Sequence, residues 1–426
     1  MGNGETSRSR PPAVTAVLVA AALAVLAPPA AIAAHPASPD SAVCGRLELV
    51  ESVPRETVLD LPELPQAADV WREMIASARR SVRVESFYFS DDPDDDDDPL
   101  DRVLSDLRAA ADRGVQVRLI GDRGFARTYP EIPRVVAAWP GAAVRLLDAR
   151  SLWGGVQHSK FLLVDDREFY VGSQNWDWRA LVQIRELGAR VACRPLARCL
   201  AAIFATDWAL AAREEPPAFA GLTPGPWTLD TPYGGPVRVT LAASPPAALP
   251  AGIPHDLPLL VEMVDRAERH LRLQLLSYSP VGHDGTFDPV LDDALRRAAA
   301  RGVQVDIVLS NWNKSRRRLP YARSLAVLDH VTVKFSNIPP WSGGFVPYAR
   351  VEHCKYLVKD DDEAWLGTAN WAPDYFTRGR NVSLLMAGES VARELQRFFA
   401  RTWDGPYTET LDPCREYRPP RRDKEP

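Results

Sequence analysis

Two histidine–lysine pairs recur in this chain with the same neighbours at the same distances. The first reads His158-Ser-Lys160-Phe-Leu-Leu-Val-Asp165 and closes with Gly172-Ser173-Gln-Asn175. The second, 195 residues on, reads His353-Cys-Lys355-Tyr-Leu-Val-Lys-Asp360 and closes with Gly367-Thr368-Ala-Asn370. Both obey H-x-K-x4-D-x6-G-[ST]-x-N. A lone His-x-Lys carries little information, since most are surface pairs. Two full signatures at one spacing point to one shared reaction. A phosphodiester is anionic and resists nucleophiles, so its cleavage needs a neutral nucleophile, cations on the non-bridging oxygens and an acid for the leaving alkoxide. Two histidines meet the first and third needs. One attacks as neutral imidazole and becomes a phosphohistidine. The other enters protonated, donates its proton, then activates water or an acceptor alcohol. Lys160 and Lys355 would hold the phosphoryl oxygens, with Asn175 and Asn370 beside them. Ser173 and Thr368 would add hydrogen bonds to the substrate at the strand-to-turn corner.

Alternation supports this grouping. His and Lys two residues apart on a strand share one face. Asp165 and Asp360 fall at the strand ends and are expected to order the turn rather than move protons. Glu186 is a further candidate, a carboxylate able to accept from a histidine Nδ1–H. Asn381 holds the matching place in the second half, so Glu186 is expected behind His158 and Asn381 behind His353, and this tilts the choice of nucleophile slightly toward His158. The sequence has no carboxylate cluster of the two-metal type and no Cys-x2-Cys zinc spacing, so neither a metal nor another cofactor is expected.

The elements that must position these residues are duplicated too. Ser81–Ser90 and Leu271–Pro280 alternate like strands, and each follows a helix-like stretch, 67–79 and 257–269. Leu107–Arg113 and Leu295–Arg301 are strong helix formers, each ending at a glycine suited to a helix C-terminus. The pentapeptide Arg-Gly-Val-Gln-Val follows at 113–117 and again at 301–305, opening a buried strand. Terminal helices are expected at 195–210 and 390–403. Each half then reads strand–helix–strand–strand–helix, and the fold class is α/β, two homologous halves packed around one shared active site. The expected divisions are a signal peptide over 1–33, a first half over 44–212, an ordered crossover over 213–257 with a strand near Pro236–Ala242, a second half over 258–414, and a disordered tail over 415–426.

Composition narrows the setting. The chain has 426 residues, 46% hydrophobic and 25% charged, with net charge −5. It is no general magnet for polyanions, so a nucleic acid would be held by local groups. Arg8 and Arg10 precede a largely apolar run, Ala13 to Ala27, and Ala31-Ile32-Ala33 offers a cleavage site. The run is shorter than the roughly 20 residues that span a bilayer, so export with cleavage is expected, the alternative being an uncleaved anchor on a luminal protein. Of five cysteines, Cys44 with Cys193 is the preferred disulfide and Cys199 with Cys414 a weaker one, leaving Cys354 free. The acidic stretch 91–98 reads as a solvated loop without the spaced ligands of a calcium site. In the loop 311–318, Arg316 is a candidate phosphate contact and Trp312 a stacking platform. Further aromatics, Phe87, Tyr88, Phe89, Trp153, Trp341 and Trp371, could stack bases or line an acyl groove, though many suit a core equally well. Asn313-Lys-Ser and Asn381-Val-Ser match the glycosylation sequon, the second in an apolar stretch ill suited to use.

The paired signatures resemble the HKD motifs of the phospholipase D superfamily. Gly172–Leu181, Arg185-Glu-Leu-Gly188, Val346–His353, Leu49–Pro54 and Trp403–Tyr407 resemble its branch formed by phospholipase D family members three and four. The similarity covers about residues 44–414. It implies two α/β halves with the site between them, and a 5′-exonuclease acting on single-stranded DNA or RNA. Phospholipase D or phosphatidyltransferase action on phospholipids is the alternative it implies. The expected partner is thus single-stranded nucleic acid or phospholipid as substrate, and a homodimer is compatible with the sequence. Asp360 stands where that branch often carries Glu, and Cys354 and the Arg316–Arg318 cluster look particular to this chain.

Overall fold

A computed structural model describes residues 1–2, 43–92, 95 and 98–423. The chain divides into two units, Met1–Ser41 and Ala42–Pro426, and the fold is that of the second. The expected signal segment and much of the acidic loop lie outside the described residues.

One sheet of sixteen strands runs through the molecule. The first half contributes β1 (Gly45–Ser52), β2 (Ser81–Ser86), β3 (Gln116–Asp122), β4 (Ala142–Leu147), β5 (Phe161–Val164), β6 (Glu168–Gly172) and β7 (Glu186–Ala192). Two strands of the connection follow, β8 (Trp227–Asp230) and β9 (Val237–Ser244). The second half adds β10 (His270–Leu275), β11 (Gln304–Ser310), β12 (Val331–Ser336), β13 (Lys355–Lys359), β14 (Glu363–Gly367), β15 (Asn381–Ala387) and β16 (Thr408–Thr410). The order is β16-β12-β11-β10-β13-β14-β15-β9-β8-β1-β7-β6-β5-β2-β3-β4. Read outward from the centre, β1-β7-β6-β5-β2-β3-β4 repeats as β9-β15-β14-β13-β10-β11-β12. The duplication in sequence is therefore a duplication of topology. Strands 81–86, 116–122 and 142–147 are mutually parallel, and β5 pairs antiparallel with both β2 and β6; the second half repeats the pattern.

The strand-and-helix grammar undercounted each half. β4, β6 and β7, with β12, β14 and β15, lie outside the elements expected from the sequence, although β12 (Val-Thr-Val-Lys-Phe-Ser) does alternate between buried and partly exposed residues. The helices fall close to expectation: α1 (Ala67–Ser77), α2 (Pro99–Asp112), α3 (Arg194–Ala211), α4 (Asp256–Asp265), α5 (Val290–Ala300) and α6 (Glu389–Trp403). The repeated pentapeptide has a backbone reason. Gly114 and Gly302 follow α2 and α5 at φ +89 and +86, left-handed values that stop the helix and turn the chain into β3 and β11. Asp98 caps α2 by accepting from the backbone of Leu100 and Asp101, with Pro99 at the first turn, so part of the acidic stretch is a helix cap. Asp91, Asp98 and Asp101 form the one cluster of three acidic groups among the described residues.

Alternation along the strands sorts side chains between two faces. On one, Leu49, Leu163 and Val191 of the first half and Leu241, Val358 and Leu384 beyond it share a single apolar core under α3 and α6. On the other the halves keep separate cores. Trp71 and Leu107 from α1 and α2 cover Val82 and Val84, while Leu260 and Leu295 from α4 and α5 cover Leu271 and Leu273. The core on the first face is continuous across the two halves.

Cys44 and Cys193 are bridged, tying the start of β1 to the end of β7 across their antiparallel register. Cys199 and Cys414 are not bridged. Cys199, on α3, is buried in the central core while Cys414 is exposed. Cys354 is free and buried. The tail expected to be disordered is placed as far as Asp423. Tyr417 packs edge-on against Phe335, and the Arg422 carbonyl accepts from the Tyr348 backbone at 2.7 Å. One aromatic ring, Tyr417, and one backbone carbonyl, that of Arg422, supply the anchorage that the tail's charge and proline content concealed.

Candidate active site

Each signature histidine precedes the first strand of its hairpin, and each hairpin's second strand ends at the signature glycine. The segment carrying His158 runs beside the start of β15. The His158 amide donates to the Arg380 carbonyl at 2.9 Å, and the Arg380 amide to Val156 at 2.9 Å. The segment carrying His353 does the same beside the start of β7. His353 donates to Arg185 at 2.9 Å, and Arg185 to Val351 at 3.0 Å. These exchanges cross between the halves, and they decide what stands behind each ring.

Glu186 consequently does not back His158. Its Oε2 lies 2.8 Å from Nδ1 of His353, and Asn381 Oδ1 lies 3.1 Å from Nδ1 of His158. The expected partners are exchanged, because each half lends the start of its own strand to the other half's histidine. The Asn381 amide nitrogen donates to the Tyr375 carbonyl at 2.6 Å, and its Oδ1 accepts from Thr368 Oγ1 at 3.0 Å. The oxygen therefore faces His158, whose Nδ1 must carry the hydrogen. That tautomer leaves Nε2 with a free lone pair.

Burial, then the charges of Lys160, Lys355 and His353, pushes His158 well below the ordinary histidine range. Burial also lowers His353, but Glu186 pulls the other way. One imidazole is thus held neutral, and the other keeps a carboxylate to stabilise its proton. Burial depresses both lysines, Lys160 well below the usual range and Lys355 to about 8. Each ammonium donates to the carbonyl of its own signature histidine, leaving further donors for phosphoryl oxygens. Asn175 and Asn370 are buried with Oδ1 atoms that have no hydrogen-bond partner.

Other expected contacts are placed elsewhere. Ser173 Oγ bonds both the carbonyl and the amide of Leu187, and Thr368 Oγ1 accepts from Val382 while donating to Asn381. Both hydroxyls are consumed by the neighbouring strand, so they position Glu186 and Asn381 instead of meeting substrate. Asp165 accepts from the amides of Arg79, Arg80 and Ser81, and Asp360 from those of Glu268, Arg269 and His270. Although burial opposes it, these donors hold both carboxyls below the usual range. Each aspartate sits at the end of its strand away from the histidine, at positive φ, closing the hairpin. Trp312 is no open platform. The Arg422 guanidinium lies 5.4 Å over its ring, and it packs with Ile184, Leu276 and Val351. Phe89 and Trp371 are core, whereas Phe87 stands 5.0 Å from the His158 ring. Asn313 and Asn381 are fully buried and hydrogen-bonded, so neither sequon is open to a glycan.

Sequence reasoning passed over four groups. Tyr375 meets the His158 ring edge-on at 4.7 Å. The buried pair Gln157–Glu85, at 2.8 Å, returns in the other half with acid and amide exchanged, as Gln274–Glu352 at 2.7 Å. Arg185 and Arg380 are fully buried, paired with Glu51 and Asp207. A signal existed for the last, since each arginine stands 27 residues after its signature histidine. Arg380 also donates to the carbonyls of Ser244 and Ala248, so it clamps the connection to the start of β15. Arg380→Met would strand Asp207, whose carboxyl burial already pushes up against the pull of Arg380. Loss of about 3–5 kcal/mol is expected, read as a lower urea midpoint. An unchanged midpoint would mean this ion pair contributes nothing to holding the strand start.

The family model for the cardiolipin synthase phospholipase D-like domain matches residues 71–208 and again 260–403. The chain is 34% identical over 397 residues to the 5′-3′ exonuclease PLD3 of Macaca fascicularis, covering 85% of this chain and 80% of that protein. It is 32% identical over 409 residues to the 5′-3′ exonuclease PLD4 of Homo sapiens, covering 86% and 79%. Among solved structures, the phosphatidylserine synthase of Haemophilus influenzae Rd KW20 superposes with a TM-score of 0.60 over 87% of this chain and 88% of that one, at 12% identity, a likeness of fold alone. With both copies of the signature matched and the relatives aligned over most of their length, the chain belongs to the phospholipase D superfamily, in the branch that contains PLD3 and PLD4.

Proposed function

We propose that this protein is a phosphodiesterase that works through a phosphohistidine without a metal, and that it removes nucleotides from the 5′ end of single-stranded DNA or RNA. One observation carries the mechanism: two buried histidines from opposite halves are held by unlike partners, an amide behind His158 and a carboxylate behind His353. His158 Nε2 attacks phosphorus while His353, protonated, gives its proton to the leaving alkoxide. Neutral His353 then takes a proton from water, whose oxygen attacks phosphorus and breaks its bond to His158 Nε2, releasing a phosphomonoester. Lys160 and Lys355, with Asn175 and Asn370, neutralise and orient the non-bridging oxygens. The two relatives named 5′-3′ exonucleases support the choice of substrate. The Cys44–Cys193 bridge supports export to an oxidising compartment. No helix among the described residues is long and apolar enough to cross a membrane.

The test offers 5′-hydroxyl and 5′-phosphoryl oligonucleotides and phosphatidylcholine vesicles to the protein, all in EDTA. Stepwise release of nucleotides from the 5′ end is expected. Release of choline with intact oligonucleotide would overturn the substrate assignment, and loss of all activity in EDTA the metal-free mechanism.

A further inference from the structure

On the far side of the Tyr375 ring from His158 lies a cavity of about 440 Å³, within the range that holds small ligands. Its wall includes Arg316, Arg317, Arg318, Arg422, His283 and Tyr375. Tyr375 is the same ring that meets His158 at 4.7 Å, so the cavity abuts the reacting centre. Among the described residues, no carboxylate lines it and none of the four arginines has an ion pair. The nearby Asp374 is taken up by Nδ1 of His283 at 2.9 Å.

Two distant segments deliver these cations. Asn313 bonds the carbonyls of Leu276 and Ser310 and accepts from the amide of Tyr278, pinning the turn from which Arg316 to Arg318 depart. Arg422 arrives from the tail, held by the Tyr348 amide and by the face of Trp312. Burial and the neighbouring Arg422 and Arg317 depress Arg318, opposed by Tyr375. Four like charges gathered with no ion pair among the described residues repel one another, and an anion placed among them removes that cost. The corresponding region of the first half is aromatic instead. Phe125 follows β3 there, 4.0 Å from Phe87, and Tyr88 stacks with Tyr129 at 5.0 Å. The site therefore has one aromatic flank and one cationic flank, which suits a strand of alternating bases and phosphates better than a lipid with a single phosphate.

We propose that this arginine pocket is a subsite for a second phosphate of a nucleic-acid strand, next to the phosphodiester being cleaved. The proposal rests on the nuclease reading. That phosphate could be the 5′-terminal group or the next internal diester; both present the same oxygens to guanidinium. The experiment compares kcat/KM of wild type and an Arg317→Ala/Arg422→Ala variant on four substrates in EDTA: bis(p-nitrophenyl) phosphate, TpT, 5′-phosphoryl TpT and TpTpT. The first two have one phosphate and the others more. Dividing each rate by that for bis(p-nitrophenyl) phosphate cancels any loss of folded protein. The ratio for the multiply phosphorylated substrates should fall about tenfold or more, with a shallower dependence on log salt, while the ratio for TpT holds. A fall confined to 5′-phosphoryl TpT assigns the terminal phosphate, and one confined to TpTpT the internal one. Unchanged ratios, with wild type active on all four, would overturn the subsite. Wild type active on bis(p-nitrophenyl) phosphate but on no oligonucleotide would instead overturn the nuclease reading, and the subsite with it.

Discussion

Alanine at His158 is expected to lower kcat on any phosphodiester by at least about 10⁴-fold, because the nucleophile itself is gone. Alanine at His353 should cost about 10²–10⁴-fold on natural esters, the range for a lost general acid and base. The two variants should part on an activated ester. p-Nitrophenolate leaves without a proton, so bis(p-nitrophenyl) phosphate should still phosphorylate His158 in the His353→Ala protein. Its hydrolysis should then stall for want of a base. A stoichiometric burst of nitrophenolate and a phosphoryl adduct in the intact mass are expected from His353→Ala and from no His158→Ala sample. The assignment follows from the surroundings of the rings. Asn381 fixes His158 as the Nδ1–H tautomer, and burial with three cationic or titratable neighbours keeps it neutral. An adduct carried by His158→Ala instead would reverse the two roles.

Glu186→Gln should lower kcat by about 10²-fold or more near neutral pH, and it should also move the pH profile. His353 must be protonated for the first step, so activity falls as pH rises through its pKa. Burial places that pKa below the ordinary value of 6.5, and Glu186 opposes the shift. Removing the carboxylate lowers the pKa further, so the descending limb should move to more acid pH. Asn381→Asp is the converse. A carboxylate behind His158 raises its pKa and protonates the nucleophile at acid pH, moving the ascending limb upward. A Glu186→Gln profile that keeps its shape and position while only the amplitude drops would mean the carboxylate orients the ring without governing its proton.

Much of this site could be read along the chain because the relevant geometry is local. The i, i+2 spacing of His and Lys at the entry to a hairpin strand is set along the chain, whatever the rest of the fold does. The spacing from Asp165 to Gly172, repeated from Asp360 to Gly367, is the length of one hairpin. The glycine in Arg-Gly-Val-Gln-Val is required by a positive φ at a helix end. Such features depend on neighbours in sequence, so the doubled signature by itself determined a two-half α/β fold and pointed to the two-histidine phosphoryl chemistry proposed above.

What lies behind each histidine did not follow, because Glu186 is 167 residues from His353 and Asn381 is 223 residues from His158. Their pairing depends on how the two halves of one sheet meet and lend strand starts to one another. Contacts within the second half decide two more: a tail guanidinium covers Trp312, and Asn313, whose sequon is legible, spends its amide on Leu276 and Ser310. Such contacts also draw Arg422 from a segment rich in proline and charge to the edge of the cavity. Spacing determined which groups face together on each strand. Only the tertiary structure decided which groups from the other half complete them, since through-space partners more than a hundred residues apart leave no periodicity in the chain.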